Sequence, residues 1–465
     1  MTLAARLLSA HPLVIDQATF TLNGGDVLDV ANSIKTHNDV LRAYSYNTPW
    51  LAVGSIGTCT ATWLGDQDGW SYVLTAAHCV DYTAEATSVD RTFTAWNGRV
   101  VASGPGTAYV PPERIYTPSG MGGASTDIAV LKLPTRAPII SATGRPLERP
   151  ILNDALDEIG RDVVFVGYGA WGVGATQSGS FAPATGARRL YARARIDSIF
   201  EKDHGIGARY QSVGPSASWG RTAPGDSGSA WWQLRDGRAV IIATTNGGHA
   251  TLSTGARVAK YIVWLRGVYA QVRLASAEPP QGCIVSLRTN DSYCLAPGQH
   301  AASSTPAWIY AHAVRVDAAP GTAVELSDGD GLARGRVARL VGSVENEALR
   351  AVEADSGERL DVSRPRSMRV VASTAALGCV TALATGSRYC RPPGGGGSLP
   401  GWISGAEVQV EAMPGAAVTL SDGEGLAGNG TATFDGFVQN WELKGARTVD
   451  GAVLDVSRPK SMRVS

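Results

Sequence analysis

The chain has no surplus of either charge. Its 41 Lys and Arg are matched by 41 Asp and Glu over 465 residues, with no basic run. That removes the electrostatic footprint of a nucleic-acid or anionic-membrane binder. No stretch of about 18 apolar residues exists, so no transmembrane helix is expected. The start, MTLAARLLSAHPLVIDQ, has one arginine and a short apolar run broken at His11-Pro12, a poor secretory signal. No CxxC occurs, which argues against zinc. Cysteine is scarce: six residues form three close pairs, Cys59/Cys79, Cys283/Cys294 and Cys379/Cys390. Six cysteines allow about 15 connectivities, but each pair belongs to a separate segment, which favours local disulfides. Their regular placement argues for an oxidising compartment. Secretion, extracellular or periplasmic, is therefore expected, with any signal lying outside this sequence.

What is present leans towards β structure. There are 55 glycines, 12 tryptophans and 44% hydrophobic residues, enough to bury a core between many tight turns. At roughly 100–200 residues per domain the length suits two to four domains.

The C-terminal part is an internal repeat. GCIVSLRTNDSYC (282–294) returns as GCVTALATGSRYC (378–390), PGTAVELSDGDGLARG (320–335) as PGAAVTLSDGEGLAGN (414–429), and LDVSRPRSMRV (360–370) as LDVSRPKSMRV (454–464). Two units, 276–371 and 372–465, follow. Alternating runs such as AVELS, HAVRV and AEVQV predict strands, so each unit is expected to be a small β-sandwich. RPPGGGGSLPG (391–401) matches LAPGQHAASSTPA (295–307) and is expected to be a loop inside a unit. Residues 44–255 also carry short strand-like runs: WLAVGSI, YVLTAA, DIAVLKL, DVVFVGYG and AVIIATT. In RVAKYIVWLRGVY (257–269), Val258, Tyr261, Ile262, Leu265, Val268 and Tyr269 fall on one face of an amphipathic helix. SAEPPQG (276–282) is expected to link domains, and 1–43 to be an N-terminal segment or pro-region.

Three short motifs carry the chemistry. LTAAHCV (74–80) holds His78, STDIAVLKL (125–133) holds Asp127, and APGDSGSA (223–230) holds Ser227. A serine hydroxyl needs a base to take its proton, histidine titrates near neutrality, and a carboxylate fixes its tautomer. Acyl transfer also needs N–H donors for the developing oxyanion, and Gly225 has no side chain to obstruct one. The order His, Asp, Ser in strand-rich surroundings excludes the α/β-hydrolase arrangement.

LTAAHC, DIAVLKL and GDSG together resemble the chymotrypsin/trypsin family of serine proteases, and the likeness covers about 44–272. It implies an all-β protease domain (44–275) of two six-stranded antiparallel β-barrels with a closing helix, and a Cys59–Cys79 disulfide. It assigns His78 as general base, Asp127 as its orienting carboxylate, Ser227 as nucleophile, and the N–H groups of Gly225 and Ser227 as the oxyanion hole. Ser229 departs from the family's usual glycine. No activation terminus resembling the family's stands before Trp50. In the family a freed α-amine pairs with the aspartate at Asp226. Here either 1–43 contains a cleavage site or another cation, such as an arginine, serves Asp226.

Arg221 stands six before Ser227, where the family places the base of its specificity pocket, with Thr222, Thr245 and Gly247 as further lining. A buried arginine repels Lys and Arg side chains. Two alternatives stay open: Arg221 binds an acidic side chain, helped by Thr222 and a nearby histidine (His249), or it turns outward and the pocket takes small or apolar groups.

The repeats resemble β/γ-crystallin-type Greek-key domains through the runs at 308–329 and 402–423, with an immunoglobulin-like sandwich as the alternative fold. The family's calcium signature is replaced by IYAHAV and ISGAEV, and Asp328/Asp330 and Asp422/Glu424 are expected to be solvated turn acids. No metal or cofactor is expected. The expectation is thus a secreted, monomeric serine endopeptidase acting on protein or peptide, without ordinary Lys/Arg preference. By analogy of architecture, its β modules serve targeting to a surface or polymer, or stability. The alternatives are a catalytically silent binding or adhesion protein on a protease scaffold, and an esterase on the same triad.

Overall fold

The computed structural model describes residues 13–26, 40–116, 124–169, 171–174, 181–183, 189–209, 218–235, 238–249, 252–289, 291–301, 305–306, 309, 311–332, 336–354, 356–426, 430–448 and 451–465. The stretch weighed above as a signal lies mostly outside them. The chain divides into two compact units, 1–233 with 239–277 and 234–238 with 278–465.

The first unit opens with strand β1 (Leu13–Asp16) and a short helix, Gln17–Leu22. A closed barrel follows, built from β2 (Val53–Ile56), β3 (Cys59–Gln67), β4 (Trp70–Thr75), β5 (Ala86–Thr94), β6 (Val100–Tyr109) and β7 (Ala129–Pro134), in the order β2-β3-β4-β7-β6-β5. All its recorded pairings are antiparallel, and β2 closes the ring on β5. On its strands Val53, Ala61, Val73, Phe93, Val101 and Leu131 are each fully buried.

The second half contains β8 (Ile151–Leu152), β9 (Asp162–Gly167), β10 (Trp171–Gly174), β11 (Phe181–Pro183), β12 (Leu190–Phe200), β13 (Gly205–Arg209), β14 (Gly220–Arg221), β15 (Ala230–Arg235), β16 (Arg238–His249), β17 (Leu252–Arg257) and β18 (Arg273–Leu274). Strands β15-β9-β12-β13-β17-β16 form a second six-stranded ring, closed by the β15–β16 pairing, with β8 and β18 appended beyond β16. A buried Arg257–Glu158 ion pair, with Arg257 Nε 3.0 Å from Oε2, lies in this half. A separate sheet has the order β11-β10-β1-β14. The helix expected over 257–269 divides into a 3₁₀ turn, Val258–Tyr261, and a short α-helix, Ile262–Val268. Val258, Tyr261, Leu265 and Tyr269 are its buried positions, while Ile262 and Val268 are half-buried.

The second unit holds two repeats of alike construction. The first stacks a sheet of 292–295, 282–286, 314–318 and 343–344 against one of 338–340, 322–327 and 367–372. The second uses 388–391, 378–382, 408–412 and 437–438 against 396–398, 461–464, 418–421 and 432–434. Each sandwich has its own core, around Val316, Val324 and Met368 in one and Val410, Val418 and Met462 in the other. Gly396–Ser398 forms a strand on 461–463, where the sequence predicted only loop; in the first repeat the same place is a single bridge, His300↔Arg369. Each repeat is stapled by a disulfide between directly opposed residues of a hairpin, Cys283–Cys294 and Cys379–Cys390. Asp328 and Asp330 pair with Arg336 and Arg366. No helix of the described residues is long and apolar enough to cross a membrane.

Candidate active site

Strands β4 and β7 pair along their length, with Thr75 opposite Ala129. Each ends in a tight turn at the same end of the barrel. After β4 comes the 3₁₀ turn Ala77–Cys79, tied back to the start of β3 by the Cys59–Cys79 disulfide. Before β7 comes the 3₁₀ turn Ala124–Thr126. The pairing therefore brings residues 78 and 127 together although 49 positions separate them.

The contact is two-pronged. The backbone N–H of His78 donates to Asp127 Oδ1 at 2.8 Å, and His78 Nδ1 lies 2.6 Å from Asp127 Oδ2. A carboxylate oxygen accepts, so Nδ1–H is the donor in this contact. Asp127 is buried while the His78 imidazole is 39% exposed. One further group touches Asp127 and two hold the turn before it. Arg114 Nη2 lies 3.7 Å from Oδ1, and its Nε donates to the Tyr82 hydroxyl at 2.8 Å. Glu201 accepts from the N–H of Ser125 at 2.9 Å and from its hydroxyl. Tyr261 donates its hydroxyl to Ser125 O at 2.8 Å.

Ser227 lies on the turn between β14 and β15. Its carbonyl accepts from Thr60 N at 2.9 Å, and Thr60 Oγ1 donates to Gly225 O at 2.7 Å. Gly228 has φ +82°, and a Cβ there would stand 2.4 Å from Thr60 O and 2.9 Å from Ala76 N. The turn of Ser227 is thus packed against the backbone just before His78, a closeness only glycine allows. Gly225 has φ +87°, and its Cβ would meet Gly169 Cα at 2.8 Å. The N–H groups of Asp226, Gly228 and Ser229 are committed to Ala223 O, Thr245 O and Asp226 O. Those of Gly225 and Ser227 take no acceptor among the described residues.

Asp226 faces inward and is 1% exposed. Its Oδ1 accepts from Gly169 N at 2.8 Å, and Oδ2 has no hydrogen-bond partner among the described residues. Burial pushes the carboxyl up to about 8, against the pull of the Gly169 and Ala223 N–H groups. Among the described residues no cation pairs with it. The buried Arg189 is occupied by the carbonyls of Ser45, Trp50 and Val53 and by the Tyr168 hydroxyl.

Residues 39–265 match the trypsin family model, and 282–371 and 378–465 match the beta/gamma crystallin model. The protein is a trypsin-family domain followed by two beta/gamma crystallin domains.

Among curated proteins, the metalloprotease StcE of Escherichia coli O157:H7 is 43% identical over 95 residues. That match takes in 20% of this chain and 11% of that protein. Two solved structures are similar at a TM-score of 0.32. One is a Glu endopeptidase in complex with MPD, 18% identical, covering 49% of this chain and 94% of that one. The other is the scabies mite inactivated protease paralogue S-I1, 15% identical, covering 48% of this chain and 96% of that one.

In the trypsin-family domain, Ser229 turns into the second barrel, where its Oγ is 2.7 Å from Thr245 Oγ1. Thr245 also accepts from Trp231 Nε1 at 2.8 Å. Thr222 N donates to Ser253 Oγ at 2.8 Å, and Thr222 Oγ1 lies 3.4 Å from Gly247 O, so Thr222 and Gly247 line one place. Arg221 does not turn outward. It is 2% exposed and donates from Nη1 to Thr222 O at 3.1 Å. His249 ends β16 opposite Leu252, at the tip of the β16–β17 hairpin. Cys59, His78 and Cys79 converge, but both sulfurs are spent in the disulfide. Sequence reasoning missed Arg114, Glu201, Tyr261, Gly169 and β1. None carries a motif, and each acts through a partner at least 13 positions away.

Proposed function

We propose that this protein is a secreted serine endopeptidase working through Ser227, His78 and Asp127. The observation that carries the proposal is the bidentate Asp127–His78 contact beside the packed turn of Ser227. His78 Nε2 takes the proton of Ser227 Oγ as it attacks the scissile carbonyl. The oxyanion forms against the N–H groups of Gly225 and Ser227, which take no other acceptor among the described residues. The imidazolium, stabilised by Asp127, protonates the leaving amine, and water then releases the acyl group by the same route in reverse. No cofactor enters these steps. Three disulfides support export. The buried, positively charged Arg221 beside Thr222 disfavours a Lys or Arg side chain before the cleaved bond.

The decisive measurement is labelling by a fluorophosphonate alongside turnover of a peptide panel varied at the residue before the scissile bond. Stoichiometric labelling that vanishes in Ser227→Ala, with peptide turnover, supports the proposal. Absence of labelling would favour a binding protein on a protease scaffold. Ester turnover without peptide turnover would favour an esterase, and preferred cleavage after Lys or Arg would overturn the specificity.

A further inference from the structure

Thr60 stands at the start of β3, beside Cys59, whose disulfide holds the turn of His78. It is completely buried and lies opposite Ser55 of β2. Its hydroxyl makes two hydrogen bonds whose directions are fixed. The N–H of Tyr168, just past β9, donates to Thr60 Oγ1 at 2.9 Å, and Thr60 Oγ1 donates to Gly225 O at 2.7 Å. An N–H only donates and a carbonyl only accepts, so the single hydroxyl proton belongs to Gly225 O. Two adjacent residues of the first barrel, Cys59 and Thr60, thus hold the turn of the base and the turn of the nucleophile.

The two grips of Thr60 fall on alternate peptide groups. Its hydroxyl holds the carbonyl of the Gly225–Asp226 group, whose N–H is spent on Ala223 O. Its own N–H holds the carbonyl of the Ser227–Gly228 group, whose N–H is spent on Thr245 O. Each group is planar and is therefore tied at both ends. Between them lies the Asp226–Ser227 group, which carries the N–H of Ser227. Before them lies the Pro224–Gly225 group, which carries the N–H of Gly225. There the hydroxyl acts a second time. By accepting from Tyr168 it holds the chain at Gly169 against the turn. A Cβ on Gly169 would stand 2.6 Å from Pro224 O, and one on Gly225 would stand 2.8 Å from Gly169 Cα. In a trans peptide the N–H points opposite to the C=O, so a Pro224 carbonyl packed on Gly169 sends the Gly225 N–H the other way. Gly225, at φ +87°, has the conformational freedom to lose that aim if the grip is released.

We propose that the Thr60 hydroxyl is a positioning group for the nucleophile turn: its one O–H and one lone pair set the direction of the N–H groups of Gly225 and Ser227. It acts through those backbone groups and is not itself a catalytic residue. The inference rests on the proposed peptidase activity, in which the same two N–H groups receive the oxyanion.

The test separates the hydroxyl from the methyl in the full chain. Thr60→Val keeps the branched shape without the hydroxyl, and Thr60→Ser keeps the hydroxyl without the methyl. Three quantities are measured: kcat and KM for a peptide, the rate of fluorophosphonate labelling, and the affinity of a peptide aldehyde, which forms a tetrahedral adduct on serine. Thr60→Val should lose roughly 100-fold in kcat with KM little changed, the lower end of what deletion of one oxyanion donor costs. Labelling should slow, and aldehyde affinity should weaken by a similar factor. Thr60→Ser should stay within about tenfold of the wild type. Wild-type behaviour of Thr60→Val, equal losses in both variants, or a rise in KM with kcat unchanged would each overturn the proposal. If Thr60→Val does not fold, Thr60→Ala is compared with Thr60→Ser, a pair that differs by the hydroxyl alone. Loss confined to the alanine variant supports the proposal, and equal activity overturns it. If the wild type is neither labelled nor active, the peptidase proposal fails by itself. Hydrogen exchange at 168–169 and 225–228 then decides the role of Thr60: faster exchange in Thr60→Val but not in Thr60→Ser supports it, and equal exchange in all three proteins overturns it.

Discussion

The first barrel carries His78 and Asp127 on turns at the ends of two strands that pair with each other, whereas the second carries Ser227 on a turn held by distant stretches of chain. In the first, the β4–β7 ladder and one disulfide bring the pair together, with Arg114, Glu201 and Tyr261 in support. In the second, the turn leans on Thr60, Gly169, Thr245, Ser253 and β1. A base-and-carboxylate pair built on a ladder inherits the ladder's rigidity. A nucleophile on a turn must be fixed by contacts from outside, and those contacts can be perturbed one at a time.

The largest effect should come from breaking the first barrel's pair. Asp127→Asn keeps the shape but lets the imidazole take the wrong tautomer, and kcat should fall about 10⁴-fold with little change in melting temperature. A fall below tenfold would show that Arg114 and the ladder orient His78 without the carboxylate.

Gly228→Ala strikes the junction between the barrels. Its methyl would press on Thr60 O and Ala76 N at a φ of +82°, so the turn must back away. A loss of roughly 100-fold in kcat and about 1–3 kcal/mol of stability is expected, read by single-turnover kinetics and urea unfolding. Unchanged kinetics would mean that Ser227 is not seated by this packing.

Glu201→Ala removes the acceptor for Ser125, one position from Thr126 and two from Asp127. Glu201, Lys202 and Asp203 all have positive φ, a strained turn that delivers this carboxylate. About tenfold in kcat is expected. An equal loss in Asp127→Asn and in the double variant would place both on one path.

The last effect concerns pH. Asp226 is raised to about 8 by burial, against a usual aspartate value near 4 in the unfolded chain. The folded state therefore holds the extra proton between those values, and stability falls as pH rises from about 4 to about 8. The slope from this one group is at most about 1.4 kcal/mol per pH unit. Asp226→Asn should flatten urea midpoints across that window. A wild-type slope of the opposite sign would mean that the carboxyl has acquired a cation.

Much of this molecule is legible in one dimension. The repeat offsets mark two like sandwiches, the alternating runs mark the strands, and the three motifs single out residues 78, 127 and 227, because chemistry demands particular residue types next to particular turns. The Gly-rich 391–401 was harder: a strand of three residues, Gly396–Ser398, has no side-chain pattern and exists only because 461–463 offers it a ladder. The helix over 257–269 kept its buried face but not its length, since the first turn is 3₁₀.

The sequence by itself determined which groups could react and which stretches could form strands, because both depend on residue type and short spacing. Only the tertiary structure decided how the turn of Ser227 is held. Val14 meets Arg221, Gly169 meets Asp226, and Glu201 reaches Ser125 because barrel closure and backbone hydrogen bonding bring them together. Such pairings are set by the satisfaction of buried polar groups across the fold, and a polar group's distant partner leaves no mark on its neighbours in the chain.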